Sequence, residues 1–155
     1  MRIPMMIAAL ISVTACVAVP VSFGGGLPQA RKLATVQPTD AAFHALLQDA
    51  RTTPIVTSAE LTRAARGHAA DMVARSYFAH RSPEGVTASD RAAAQGVPAC
   101  GIAENIAQGQ GSAAAVFADW MASAGHRANM LNPNMASYGL GRAGDTWVLK
   151  LYQPC

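Results

Sequence analysis

The sequence contains few charged residues, and they form no runs. Of its 155 residues 14% are charged, and the formal net charge is only +3, so Lys and Arg stay scattered along the chain. Nucleic-acid-binding proteins concentrate basic residues in a patch or stripe, and this sequence has none. We therefore expect no nucleic-acid partner. The length allows one domain with a substantial core.

Several catalytic and cofactor-binding motifs are also missing. There is no HExxH zinc motif, no G-x-S-x-G nucleophile motif, and no complete Rossmann or P-loop pattern. Gly109 and Gly111 precede a predicted helix, but the longer phosphate-binding patterns do not follow. The sequence therefore identifies no enzyme class by a short motif.

The N-terminus has the features of a targeting segment. Arg2 provides a positive charge, and the apolar stretch 3–13 is too short to span a bilayer. The following string "VTAC" ends at Cys16 and resembles the lipobox of bacterial lipoproteins, in which the cysteine becomes the acylated first residue. We therefore expect a lipoprotein signal peptide over 1–15 and a protein exported to the cell envelope and anchored in its membrane. The alternative is a secretory signal cleaved after Ala15, which would release a soluble protein.

The cysteine count fits a lipid-modified Cys16. The chain has three cysteines, and if Cys16 carries lipid, Cys100 and Cys155 remain as a pair. In an oxidising envelope compartment these two could form one disulfide. The alternative is two unrelated buried thiols.

Residues 16–38 are predicted to be a flexible tether, because they contain three consecutive glycines and three prolines without hydrophobic periodicity. The folded domain is expected over 39–155. Apolar spacing, caps and breakers predict helices over 40–51, 57–76, 87–95 and 113–123.

The end of the chain predicts strands. "YGLGRA" and "TWVLKLY" alternate in hydrophobicity on either side of "AGD", a pattern typical of a β-hairpin. The string "GIAENIAQGQG" is expected to be extended or irregular. Helices first and strands late predict an α+β fold, with helices packed around a small antiparallel sheet.

Four histidines and one glutamate are considered for chemistry, and three of these five remain candidates. His68 lies on the apolar stripe of the second helix and is interpreted as a hydrogen-bonded core histidine, and His44 is given no role. His80 and His126 are placed in loops after helices, where scaffolds present functional groups. Glu104 stands in an otherwise uncharged run, so it needs a partner if it is buried. Two histidines and one carboxylate could bind zinc or pair by hydrogen bonds, and their wide spacing makes the metal signal weak.

The strings "AHRSPEG", "GIAENIAQGQG", "FADWMASAGHRANMLNP" and "YGLGRAGDTWVLKLY" occur in this order over about residues 40–153. Together they are similar to the CAP superfamily, the SCP-like extracellular domain, and most of all to its short bacterial members. The resemblance implies an α-β-α sandwich with a surface cleft. In many members the cleft carries two histidines and two glutamates and sometimes binds a divalent metal.

The resemblance assigns four residues to this cleft. His80 matches the first histidine, Glu104 the first glutamate and His126 the second histidine. Ser123 stands where the family usually has its second glutamate, so one acid of the set is missing. His80 and His126 are the implied ligands for a metal such as zinc.

Two functions follow from the resemblance. The first is a monomeric, lipid-anchored module that binds a lipid, a sterol-like molecule or a cell-wall component in the cleft. The second is a metal-assisted hydrolase of peptide or wall material, with a metal on His80 and His126 and with Glu104 as base. A purely structural lipoprotein is the remaining alternative. Ser123 favours binding over catalysis.

Overall fold

The computed structural model describes residues 38–98 and 100–155. The predicted signal peptide, Cys16 and nearly all of the predicted tether lie outside these residues. The described part contains five helices: α1 (Pro38–Ala50), α2 (Ala59–Ala74), α3 (Ala88–Ala93), α4 (Ala113–Ala122) and α5 (Ala124–Leu131). None of these helices is long and apolar enough to cross a membrane.

Four strands form one sheet: β1 (Val56–Thr57), β2 (Gly101–Gln108), β3 (Ser137–Ala143) and β4 (Thr146–Gln153). Their order is β1-β3-β4-β2. The predicted hairpin is β3–β4, and β2 adds antiparallel to β4. The sheet is mixed rather than purely antiparallel, because the two-residue β1 runs parallel to β3. The sequence did not predict β1. Such a short strand has no hydrophobic period for a sequence to reveal.

Helices cover both faces of the sheet, which confirms the predicted α+β sandwich. On the α1 face, alternate strand residues pack against α1 and α4, as Trp147, Leu149 and Leu151 do. On the α2 face, the intervening residues meet α2 and α3, as Val148 and Tyr152 do. The same alternation along β2 directs Glu104 to the α2 face and Asn105 to the α1 face.

Two predicted helix boundaries need correction. The N-cap of α2 is Ser58, whose hydroxyl accepts a hydrogen bond from the Leu61 amide at 3.1 Å, and not Thr57, which ends β1. The stretch after α4 is a fifth helix rather than a loop, so His126 lies on α5. Only one residue, Ser123, separates α4 from α5. The glycine just before His126 and the nearby proline indicated a loop, although this glycine lies inside α5.

Glycines in β3 allow α2 to approach the sheet closely. A Cβ built on Gly139 would lie 2.1 Å from the Thr62 backbone nitrogen, and one on Gly141 would lie 2.3 Å from the backbone of Ala65. These are backbone contacts, so a side-chain rotation cannot relieve them. The alternation in "YGLG" thus places the larger residues on the α1 face and glycines under α2.

We expect Gly141→Ala to destabilise the protein by about 1–3 kcal/mol, because the added methyl group forces α2 away from β3. Chemical denaturation measures this loss. Gly67→Ala in α2 is the matched control: no atom lies within 4 Å of its added Cβ. This control should gain about 0.5–1 kcal/mol, because alanine is the better helix former. Equal stability of the two variants would contradict the close-packing account.

A disulfide joins Cys100 to Cys155 with a Cα–Cα distance of 5.2 Å. The strand register explains the pairing. Gly101 lies opposite Gln153 in the β2–β4 ladder, and both cysteines lie just beyond this pair at the same end of the ladder. The bridge ties the end of the chain to the start of β2.

Candidate functional site

The loop that carries His80 begins at a tight helix end. Ser76 follows α2 with φ of 54°, a left-handed conformation usually taken by glycine. The Ser76 amide bonds to the Val73 carbonyl, and the Tyr77 amide bonds to the Met72 carbonyl at 3.1 Å. This is the Schellman arrangement. It turns the chain sharply off α2 and sends residues 77–80 back toward β2.

His80 is held in place by both its side chain and its backbone. Its Nδ1 lies 3.0 Å from Glu104 Oε1, and its carbonyl accepts a hydrogen bond from Arg91 Nη2 at 2.7 Å. Because an ionised Glu104 can only accept, Nδ1 must carry the proton. The other nitrogen, Nε2, is then left free of the Glu104 contact, on a side chain that is 58% exposed. His80 therefore offers a fixed, exposed imidazole.

Glu104 is the centre of a buried charge cluster. Its side chain is only 3% exposed, and it makes an ion pair with Lys150, which is fully buried. The pairing follows from the register, since Glu104 and Lys150 are directly opposite in the β2–β4 ladder. Arg91, from α3, adds a second cation at 3.1 Å from Oε2.

The cluster keeps Glu104 ionised. Burial by itself would raise the pKa of a carboxyl group, but the charge and hydrogen bond of Lys150, the hydrogen bond of His80 and the charge of Arg91 outweigh it. The pKa of Glu104 therefore lies below its ordinary value of 4.5. Burial also lowers the pKa of Lys150, and the Glu104 charge opposes this effect. One carboxylate thus faces two fixed cations.

His68 approaches the cluster from α2. It is fully buried, as expected for a core histidine, and its Nε2 contacts the Ala79 carbonyl at 3.0 Å. The same nitrogen lies 3.9 Å from Glu104 Oε1. Burial lowers the pKa of His68 below 6.5, helped by the charges of Arg91 and Lys150 and opposed by that of Glu104. His68 therefore stays neutral in the folded protein near neutral pH.

We expect the free energy of unfolding to fall as the pH drops below 6.5. The unfolded chain protonates His68 near that pH, whereas the folded chain with its lowered pKa does not, so acid favours the unfolded state. A single group contributes a slope of at most about 1.4 kcal/mol per pH unit. Denaturant titrations at stepped pH measure the slope, and His68→Gln should flatten it. A stability that rises with acid in this range would contradict the account.

His126 lies on the other side of the edge strand β2, on α5. Its carbonyl accepts a hydrogen bond from Asn105 Nδ2 at 3.1 Å, and Asn129 Nδ2 donates to Asn105 Oδ1 at 2.9 Å. Burial lowers the pKa of His126, and the charge of His80 adds to this effect. His126 is thus fixed beside β2 through its backbone, and its imidazole responds to the charge of His80.

Only two of the four predicted site residues are in direct contact. His80 and Glu104 are hydrogen-bonded, whereas His126 is influenced by His80 only through charge. Ser123 ends α4 and begins α5, three residues before His126, and its side chain makes no capping hydrogen bond. We call His80, His126 and the intervening edge of β2 the histidine cleft.

The donor set of the histidine cleft does not fit the divalent metal that the resemblance implied. Both oxygens of Glu104 already contact cations, and Ser123 provides no second carboxylate. Within residues 38–98 and 100–155, no three His, Cys, Asp or Glu side chains are grouped to hold a metal ion. Two imidazoles alone fall short of the three or four protein ligands usual for zinc.

A separate cavity of about 240 Å³ lies beside the charge cluster, on the α2 side. His68 and Arg91 belong to both, and the residues that line the cavity do not include His80, Ser123 or His126. Its outer wall carries the ion pair of Arg75 with Glu84. This cavity is therefore distinct from the histidine cleft.

Sequence reasoning missed the two cations of the cluster. Arg91 follows Asp90 in the sequence, and adjacent opposite charges of this kind are typical of a solvated helix surface. In the structure, however, the Arg91 guanidinium points inward to Glu104. Lys150 lies within the apolar string "WVLKLY", and its sequence context did not indicate a role for it. A lysine inside a strand covered on both faces does carry a signal, because such a residue requires a buried partner of opposite charge.

The fold is that of an SCP-type domain. The structure is similar to an extracellular protein containing a SCP domain from Bacillus anthracis str. Ames, with a TM-score of 0.67 and 26% identity over 72% of this chain and 38% of that one. It is also similar to an outer surface protein from Borrelia burgdorferi, with a TM-score of 0.64 and 16% identity over 74% of this chain and 89% of that one. The second likeness concerns the fold alone.

The sequence places the chain in a family. The model of the cysteine-rich secretory protein family, CAP, matches residues 29–151, so this chain belongs to the CAP family. It is 36% identical to the uncharacterized protein YkwD of Bacillus subtilis (strain 168) over 96 residues, which are 61% of this chain and 37% of YkwD. The chain therefore spans well under half the length of this relative.

Proposed function

We propose that this chain is an exported, lipid-anchored CAP protein that binds a component of the bacterial cell envelope at its histidine cleft. Export is supported by the targeting pattern before residue 16 and by the words "extracellular" and "outer surface" in the names of the two structural relatives. The lipobox-like "VTAC" supports the anchor at Cys16.

One observation carries the choice of binding over hydrolysis: Glu104 is buried and already paired with Lys150 and Arg91. A general base must reach the proton it removes and must be free to accept it. A carboxylate with a lowered pKa, shielded from solvent and held by two cations, does neither. The cleft presents imidazole to a ligand, and Phe78, two residues before His80 in the same loop, is an exposed aromatic residue that we propose takes part in binding.

A thermal-shift screen of the full chain in detergent against lipids and cell-wall fragments tests this proposal. We expect at least one envelope component to raise the melting temperature, because a ligand that binds only the folded state stabilises it. Phe78→Ser should weaken the shift. Val73→Ser on α2 is the matched control, since the two side chains are equally exposed at 47% and 48%. No shift with any component would remove the binding proposal.

The lipid anchor has its own test. The full chain should partition into the detergent phase, because each buried methylene of an acyl chain contributes about 0.8 kcal/mol. Cys16→Ser should move the protein to the aqueous phase. A Cys16→Ser protein that stays with the membrane would contradict the anchor.

One contact favours hydrolysis as the second candidate function. The Glu104–His80 hydrogen bond orients an exposed imidazole, as a carboxylate does for the histidine of many hydrolases. In that case His80, and not Glu104, would be the base. Cleavage of peptide or wall material that is lost in His80→Gln would support hydrolysis, and cleavage unchanged in that variant would exclude it.

A further inference from the structure

We propose that Lys150 is the built-in counter-ion of Glu104 and supplies the positive charge that a divalent cation could otherwise supply to this carboxylate, so that the histidine cleft is complete without metal. This inference deepens the proposed binding function, on which it rests, by stating that ligand binding at the cleft is metal-independent. It concerns Lys150, a residue that lies outside the set of four assigned by resemblance.

The hydrogen bonds of Glu104 leave no oxygen open to a metal ion. Oε1 accepts from His80 at 3.0 Å and lies 3.3 Å from Arg91 Nη2, while Oε2 contacts Lys150 and the same Arg91 nitrogen at 3.1 Å. Ligation by Glu104 would have to displace one of these donors. Lys150 has no alternative position in water, because its side chain is fully buried.

The charges around Glu104 also oppose a second cation. Lys150 and Arg91 together carry two positive charges against the one negative charge of Glu104. A divalent ion at the histidines would add to an excess that is already positive, and like charges repel one another. The neutral hydroxyl of Ser123 does nothing to offset it.

The roles of Lys150 and a metal can be exchanged experimentally. In Lys150→Met with Ser123→Glu, the internal cation is removed and a second carboxylate is placed three residues before His126. We expect this double variant to bind zinc about tenfold or more tightly than the unsubstituted chain, a change of the size seen when groups around metal ligands are altered. Zinc should also raise its melting temperature. The unsubstituted chain should show no zinc-dependent shift and no loss of stability with EDTA.

Lys150→Arg with Ser123→Glu is the matched control, because it retains the internal cation while adding the same carboxylate. It should bind zinc no better than the unsubstituted chain. A gain equal to that of the Lys150→Met double variant would overturn the proposal, since the added acid alone would explain it. A folded Lys150→Met double variant with no gain would overturn it as well.

If the Lys150→Met double variant does not fold, zinc titration of the unsubstituted chain decides. One-to-one binding that is abolished by His126→Ala would overturn the proposal, and the absence of such binding upholds it. These results are separate from the envelope screen: a chain that binds neither zinc nor any envelope component would refute the proposed function while leaving the role of Lys150 intact.

Discussion

Lys150→Ala is expected to lower the free energy of unfolding by about 3–5 kcal/mol, the cost typical of removing one partner of a buried ion pair. The substitution deletes the principal counter-charge of a carboxylate that is only 3% exposed. Arg91 would still contact Oε2 and His80 would still contact Oε1, but the fully buried cation opposite Glu104 in the ladder would be lost. Denaturant unfolding followed by circular dichroism measures the loss.

A double substitution separates the ion pair from simple packing. Lys150→Met with Glu104→Gln removes both charges while nearly retaining the side-chain volumes. Replacing both members of a buried pair is often neutral or stabilising, so we expect this double variant to recover most of the stability lost in Lys150→Met. If the losses of the two single substitutions simply add, the contact between Lys150 and Glu104 contributes no measurable coupling energy to the fold.

Loss of the disulfide is the second large effect. Cys100→Ser with Cys155→Ser should reduce the free energy of unfolding by about 4 kcal/mol, the chain-entropy estimate for a closed loop of this size. The two cysteines are 55 residues apart, and the loop they close contains α4, α5 and the β3–β4 hairpin. Urea unfolding with and without reductant measures the difference.

The reductant provides the control for this prediction. It should destabilise the unsubstituted chain by the same amount as the double substitution and leave the variant unchanged. A reductant-sensitive variant would point to another thiol, and a loss below about 1 kcal/mol, far under the chain-entropy value, would show that strand pairing alone holds Cys155 beside β2.

The parts of the fold that the sequence predicted are those with local signals. Phe43 and Leu47 gave the period of α1, and the alternation in "YGLGRA" and "TWVLKLY" gave the hairpin. The disulfide pair was expected from the cysteine count together with the lipobox-like string that sets Cys16 apart. The helix and the hairpin depend on residues near one another in sequence, and the disulfide depends on which cysteines remain to pair. None of the three requires knowledge of the tertiary structure.

What the sequence did not predict depends on tertiary placement. The helix that carries His126 was missed because the glycine and proline near this residue indicated a loop, and β1 is too short to show a pattern. Both histidines of the cleft and Glu104 were candidates from their sequence context, but only the family resemblance placed them with Ser123 in one cleft. Arg91 and Lys150 join Glu104 from α3 and β4, and their convergence follows from the strand register and from helix packing that no local pattern encodes.

The most direct test of the account is the ionisation of the Glu104 carboxyl group, followed by NMR through its side-chain carbon as the pH is lowered. In the unsubstituted chain Glu104 should remain charged below pH 4.5, its ordinary pKa, and Lys150→Met should raise the pKa. A Glu104 that takes up its proton above pH 4.5 in the unsubstituted chain, or that titrates identically in both proteins, would contradict the charge cluster on which the account depends.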